Sequence, residues 1–228
     1  MTDDEDARAA GLLDAQARAA ALFEAIESDR VVKAGMTEQD ASNAISALAA
    51  ERFGCKRHWH KKIVRAGANT LEPYSVDPPD RVIDDGDIVF GDFGPVFDGW
   101  EGDFGRTWVL GNDPLKTRLR DDLAVVFDAG KRFFQDNPDL TAEALFAEVV
   151  RLSRDAGWDF GNIHCGHLVG EYPHENFPGR TESLMMSGNK TPLRTTDPSG
   201  RIAHWILEVH LVDRHRQIGG FYEELLTL

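Results

Sequence analysis

The tetrapeptide Gly-Asp-Phe-Gly occurs twice in the run GDFGPVFDGWEGDFG, so Asp92 and Asp103 stand eleven residues apart across a turn. Asp98-Gly99 between them is a hairpin signal. With the turn centred near Phe97–Asp98, residues whose numbers sum to 195 lie opposite one another, and Asp92 faces Asp103. A register two residues away keeps both carboxylates on one face as diagonal neighbours. Like charges opposed on a sheet, with Cβ atoms roughly 4.5–5.5 Å apart, are destabilising. A pair of metal ions is one way to offset that repulsion. The fragment also reads as two solvated aspartates in turns. In either case the glycines and phenylalanines of the repeat are expected to be incidental.

Further donors stand downstream. In AHWILEVHLVD, alternation puts Trp205, Leu207, Val209 and Leu211 on one face and His204, Ile206, Glu208 and His210 on the other. A glutamate within so apolar a strand is costly unless paired or metal-bound. Glu223 and Glu224 have similar surroundings in GGFYEELL, and His167 follows a glycine in HCGHLVG. Each of these taken singly also reads as an edge-strand charge or a structural histidine. Protein kinases share the DFG word, but no glycine-rich loop, VAIK-like strand or HRD-like loop precedes it. HExxH, GxSxG and GxGxxG are absent too, which disfavours zincin, serine-hydrolase and dinucleotide-binding chemistry.

The elements that must carry these residues follow from periodicity and caps. A helix is predicted from about Asp6 to Ser28, and a second from Thr37, which forms a capping-box pattern with Asp40, to Gly54. Strand-like texture follows in HWHKKIVRAG, RVIDDGDIVFGDFG and GWEGDFGRTWVLG. Asp113-Pro114 starts a helix to about Gln135, and another runs from about Thr141 to Ala156. HCGHLVG, RIAHWILEVHLVD and IGGFYEELL return to strand, with residues 176–201 between them read as a loop, either a lid or disordered. This segregation predicts an α+β domain built on a largely antiparallel sheet with helices on one side, and no linker divides residues 1–228.

A net charge of −14 over 228 residues makes nucleic acid and anionic membranes poor partners and cations good ones. No secretory signal or membrane-spanning run is visible. Two cysteines, Cys55 and Cys165, without zinc spacing predict free thiols in the cytoplasm.

Together these motifs resemble the pita-bread metallopeptidase family of methionine aminopeptidase, aminopeptidase P, prolidase and creatinase. The likeness runs from GMTEQDASNAI to GGFYEELL, and its wording is nearest the aminopeptidase P side. The resemblance implies the pita-bread fold, a curved antiparallel sheet with flanking helices, here as a single catalytic domain, residues 1–228, expected to be without the separate N-terminal domain of aminopeptidase P, prolidase and creatinase. It implies five metal ligands: Asp92, bridging Asp103, His167 in GHLVG, Glu208 in ILEVHL and bridging Glu223 in FYEELL. Such a set suits two divalent ions, Mn(II) first, with Fe(II), Co(II) or Zn(II) as other choices. A hydroxide bridging them would attack an amide or peptide bond of a small peptide or metabolite, of Xaa-Pro type by this likeness, with Glu208 handling its proton. His174 in PHENFP resembles a second family histidine that meets the substrate carbonyl. The family histidine expected just before the hairpin is replaced by Pro73 in NTLEPYS, and His58 or His60 is the expected substitute for binding substrate. That replacement keeps open a creatinase-like C–N hydrolase or a metal-assisted lyase. Leu168 and Val169 stand where the family has small glycines and are expected to narrow the pocket. A homodimer is the expected assembly.

Overall fold

Side-chain capping sets the helix boundaries. The computed structural model describes residues 2–169, 183–197 and 199–228. Helix α1 (Thr2–Ser28) starts four residues before the expected Asp6. In α2 (Glu38–Phe53), the Thr37 hydroxyl accepts from Asp40 N at 3.0 Å and the Asp40 carboxylate accepts from Thr37 N at 3.3 Å. Gly54 closes it in the left-handed conformation, φ 68°. Asp113 caps α3 (Pro114–Asp136), and Thr141 caps α4 (Ala142–Asp155).

The strands are β1 (Ile63–Ala66), β2 (Ile88–Phe93), β3 (Val96–Phe97), β4 (Trp100–Glu101), β5 (Phe104–Val109), β6 (Asp159–Phe160), β7 (His164–Val169), β8 (Leu184–Met186), β9 (His204–Asp213) and β10 (Ile218–Leu225). One sheet has the order β1-β2-β5-β10-β9-β7-β8, with β6 on β9, and its pairings are antiparallel. Apolar side chains of α1 and α2, among them Phe23 and Ile45, cover the β1-β2-β5 half. Leu119, Phe127, Leu145 and Val149 of α3 and α4 cover the β9-β10 half. Trp205, Leu207, Val209 and Leu211 all lie in that second core, as the alternation predicts.

The hairpin register differs from expectation by two. Asp98 and Gly99 form the two-residue loop, with φ values of 50° and 95°. Positive φ at both central positions gives the twist that paired strands require. The turn is thus centred on Asp98–Gly99, Phe97 pairs Trp100, and Asp92 pairs Gly105 rather than Asp103. Asp92 and Asp103 are diagonal neighbours on one face. The phenylalanines of the repeat are not incidental. Phe93 pairs directly with Phe104, both point to the helix side, and Phe23 of α1 packs against both at centroid distances of 6.2 and 5.0 Å. In each Asp-Phe step the pleat sends the carboxylate to one face and an apolar anchor to the other.

Residues 176–201 are not one loop. Residues 176–182 and 198 lie outside the described residues, whereas β8 pairs with β7 and Leu193 is fully buried, its N–H bonded to Leu140 O at 2.9 Å. The apolar side chains of Leu184, Met185 and Leu193 outweigh the loop-like Gly, Ser and Thr around them.

Glu38 ties α2 to the sheet. Its buried carboxylate accepts from Ala66 N at 2.6 Å and Asn69 Nδ2 at 2.9 Å, and burial raises its pKa. Glu38→Ala leaves the Ala66 amide without its acceptor and is expected to cost about 1–3 kcal/mol. A lowered urea midpoint would register this, and an unchanged midpoint would refute it.

Candidate metal centre

Five of the expected side chains stand on, or one residue before, five adjacent strands. Asp92 is on β2, Asp103 immediately precedes β5, Glu223 is on β10, Glu208 on β9 and His167 on β7. Register aligns them: Asp92 pairs Gly105, Gly105 pairs Glu223, and Glu223 pairs Glu208. Directly opposed residues share a face. Gly105 contributes no side chain to the middle of this row, where a Cβ would overlap the Phe221 ring, and Asp103 lies two residues earlier on the same face. Their exposures are 7% for Asp92, 3% for Asp103, 7% for Glu208 and 3% for Glu223. Four carboxylates this buried, facing one another, require compensating positive charge.

Imidazoles supply part of it. His167 Nε2 lies 3.3 Å from Asp103 Oδ2 and 3.9 Å from Glu208 Oε1, while its Nδ1 donates to Leu168 O at 3.2 Å. That backbone bond fixes the tautomer and aims Nε2 at the carboxylates. Burial opposes the charged form of His167, yet Asp103 and Glu208 raise its pKa to about 9. Burial, and then the charges of Asp103, Asp92 and Glu208, push Glu223 well above the usual carboxylate range. Glu223 Oε2 is buried without a hydrogen-bond partner among the described residues. Asp103, His167 and Glu223 each offer an atom within 4.8 Å of the others, a group that can hold a metal ion. Hard oxygen donors with one imidazole fit a divalent cation.

Arg106 locks two of the strands together. Its guanidinium donates to Gly105 O at 2.8 Å and Glu223 O at 3.1 Å and pairs with Glu224. It lies between the Phe104 and Tyr222 rings, 3.8 and 3.7 Å from their centroids. Glu224, the other acid of FYEELL, is thus engaged in a salt bridge.

The model of metallopeptidase family M24 matches residues 7–197. The chain belongs to this family. Within M24 it is 27% identical over 150 residues to a Xaa-Pro dipeptidase of Lactobacillus helveticus, a match covering 63% of this chain and 39% of that protein. Its fold is that of the prolidase from Thermococcus sibiricus, with a TM-score of 0.75, 21% identity and coverage of 98% of this chain and 56% of that one. The X-Pro aminopeptidase of Thermotoga maritima superposes with a TM-score of 0.77 at 18% identity, covering 98% and 61%. The pita-bread fold expected from the motifs is therefore the fold of this M24 chain. The chain spans little more than half the length of these structures.

The M24 chain treats its two HWH histidines differently. His58 packs edge-on against Phe93 at 5.6 Å, and burial lowers its pKa to about 4. His60 joins the carboxylates: its Nε2 is 3.3 Å from Asp103 Oδ1, 3.6 Å from Asp92 Oδ1 and 4.0 Å from Glu101 Oε1. Burial opposes its protonation, but Asp92, Asp103 and Glu101 raise its pKa to about 10. His174 lies outside the described residues. Pro73 is engaged through its carbonyl, which accepts from Arg65 at 2.8 Å, and the next residue, Tyr74, tilts against His60 at 6.0 Å. Leu168 lies in the α3–α4 core, and Val169 packs with Leu12, Ile206 and Leu225, so both serve apolar packing rather than narrowing the site.

Two neighbours escaped the sequence reading. Glu101 is 1% exposed and two residues before Asp103, so strand alternation in GWEGDF was the signal that could have found it. His164 Nδ1 lies 3.7 Å from Glu208 Oε1, three residues before His167 across a bulge that sequence does not reveal.

Proposed function

We propose that this chain is a dinuclear metal-dependent hydrolase of an amide or peptide bond, with Xaa-Pro peptides as its substrate class. The convergence of Asp92, Asp103, His167, Glu208 and Glu223 on one face of adjacent strands carries the reading. These five side chains would hold two divalent ions, Mn(II) or a neighbouring transition metal. Bound there, the ions supply Lewis acidity and lower the pKa of a water. Glu208 takes the proton at its carboxylate and returns it to the leaving nitrogen. His164 and His167, both within 4 Å of Glu208 Oε1, support its orientation. Tyr74, tilted against the His60 ring on the side of the cluster nearest Asp92, can meet substrate. His174 is proposed to meet the carbonyl. Two buried free cysteines support a cytoplasmic setting, and no helix among the described residues is long and apolar enough to cross a membrane.

Metal content of protein purified without chelator, followed by a panel of Met-Xaa and Xaa-Pro peptides with added Mn(II), tests this. About two ions per chain and turnover of Xaa-Pro peptides is the expected result. Less than one ion, with no gain on adding metal, would leave only a non-catalytic binding module. Pro73 cannot transfer a proton, and this favours a second reading, a hydrolase or lyase acting on a non-peptide C–N bond. Bound metal with silence across the panel would support that one.

A further inference from the structure

We propose that His60 and Glu101 are additional metal ligands, so that each of the two ions flanking Asp103 carries an imidazole. This rests on the five-donor reading above and extends it on the Asp92 side. Asp103 is the pivot. Its Oδ2 has His167 Nε2 at 3.3 Å, and its Oδ1 has His60 Nε2 at 3.3 Å. The two rings are held alike. His167 Nδ1 donates to the carbonyl of the following residue at 3.2 Å, and His60 Nδ1 does the same to Lys61 O at 2.8 Å. Each therefore presents Nε2 to one oxygen of a shared carboxylate, the tautomer a metal-binding histidine uses.

The distances also fit donors that share one ion. His60 Nε2 sits 3.3, 3.6 and 4.0 Å from three oxygens of Asp103, Asp92 and Glu101. Two atoms bonded to one tetrahedral ion at ~2.1 Å are about 3.4 Å apart. His60, Glu101 and Asp103 each offer a ligand atom within 4.8 Å of the others, a second group able to hold a cation. The backbone makes room for the pair at Gly94, where a Cβ would overlap both Glu101 Oε1 and the His60 ring. An imidazole on the otherwise all-oxygen side changes metal preference, since nitrogen donors favour Zn(II), Fe(II) and Co(II) over Mn(II).

X-ray absorption at the metal edge of untagged, zinc-loaded protein counts the imidazoles directly. Two imidazoles for two ions are expected in the wild type, and one in His60→Gln. Equilibrium dialysis with zinc and manganese should show His60→Gln and Glu101→Gln each losing at least about tenfold in zinc affinity, as even outer-shell changes do. Manganese affinity should fall less in His60→Gln. One imidazole in the wild type, or a count and zinc affinity unchanged in His60→Gln, overturns the inference while two bound ions keep the five-donor reading. Asp103→Asn separates the two levels, because wild-type metal binding in that variant overturns the five-donor reading and the inference with it.

Discussion

Asp103→Ala is expected to abolish turnover and to remove bound metal, while the folded chain survives. Asp103 lies between two imidazoles, one at each carboxylate oxygen, and within ligand distance of Glu223. Both proposed ions depend on it. Changing outer-shell partners of a metal site costs roughly 10–100-fold, so losing a shared first ligand should cost more than about 10³-fold in turnover. The fold should tolerate the change, because Asp103 is one of several carboxylates that repel one another and its removal relieves charge. Phe104, its neighbour, still anchors the strand against Phe23. Asp103→Asn keeps the shape and serves as the check where Ala disturbs packing. Turnover and metal content are read against a thermal midpoint taken in chelator. Turnover within tenfold of wild type in a well-folded variant would end the dinuclear reading.

Stripping bound metal is expected to lower thermal stability on the order of 10 °C. A ligand at a thousandfold excess over its Kd contributes about 4.1 kcal/mol. For domains of about 150–250 residues, each kcal/mol moves Tm roughly 2–4 °C. The direction follows from the buried row Asp92, Asp103, Glu208 and Glu223, four carboxylates whose mutual repulsion the imidazoles of His60, His164 and His167 offset in part. Added salt should not substitute for the divalent ion, since buried pairs are weakly screened. Differential scanning calorimetry in chelator, in Mn(II) and in Zn(II) measures the shift. Coincident midpoints in all three would mean that the carboxylates are compensated from within the protein.

The sequence alone carries whatever is set locally. Caps at Thr37, Asp113 and Thr141 act within one turn of chain, so three helix starts could be read from them. Alternation in β9 is equally local, and Glu208 could be separated from Trp205, Leu207 and Val209 by counting. The five donors stood out because each is a polar residue within an apolar strand or beside a turn. The hairpin register came out two residues off, because the twist required of a two-residue loop, rather than the repeat, chose Asp98–Gly99 as its centre. An even error kept the faces right.

What only the tertiary structure decided is which of these residues meet. Donors 131 residues apart in sequence, Asp92 and Glu223, share a row because β2, β5 and β10 pair in one register. His60 and His58 are two residues apart and chemically identical, yet one faces carboxylates and the other Phe93. Glu101 is an ordinary hairpin acid in sequence and a buried neighbour of Asp103 in space. Convergence of this kind depends on strand order and register, which are set by long-range packing of two cores, and no local pattern encodes it. Sequence named the kinds of atom at the site; strand pairing determined how close they come.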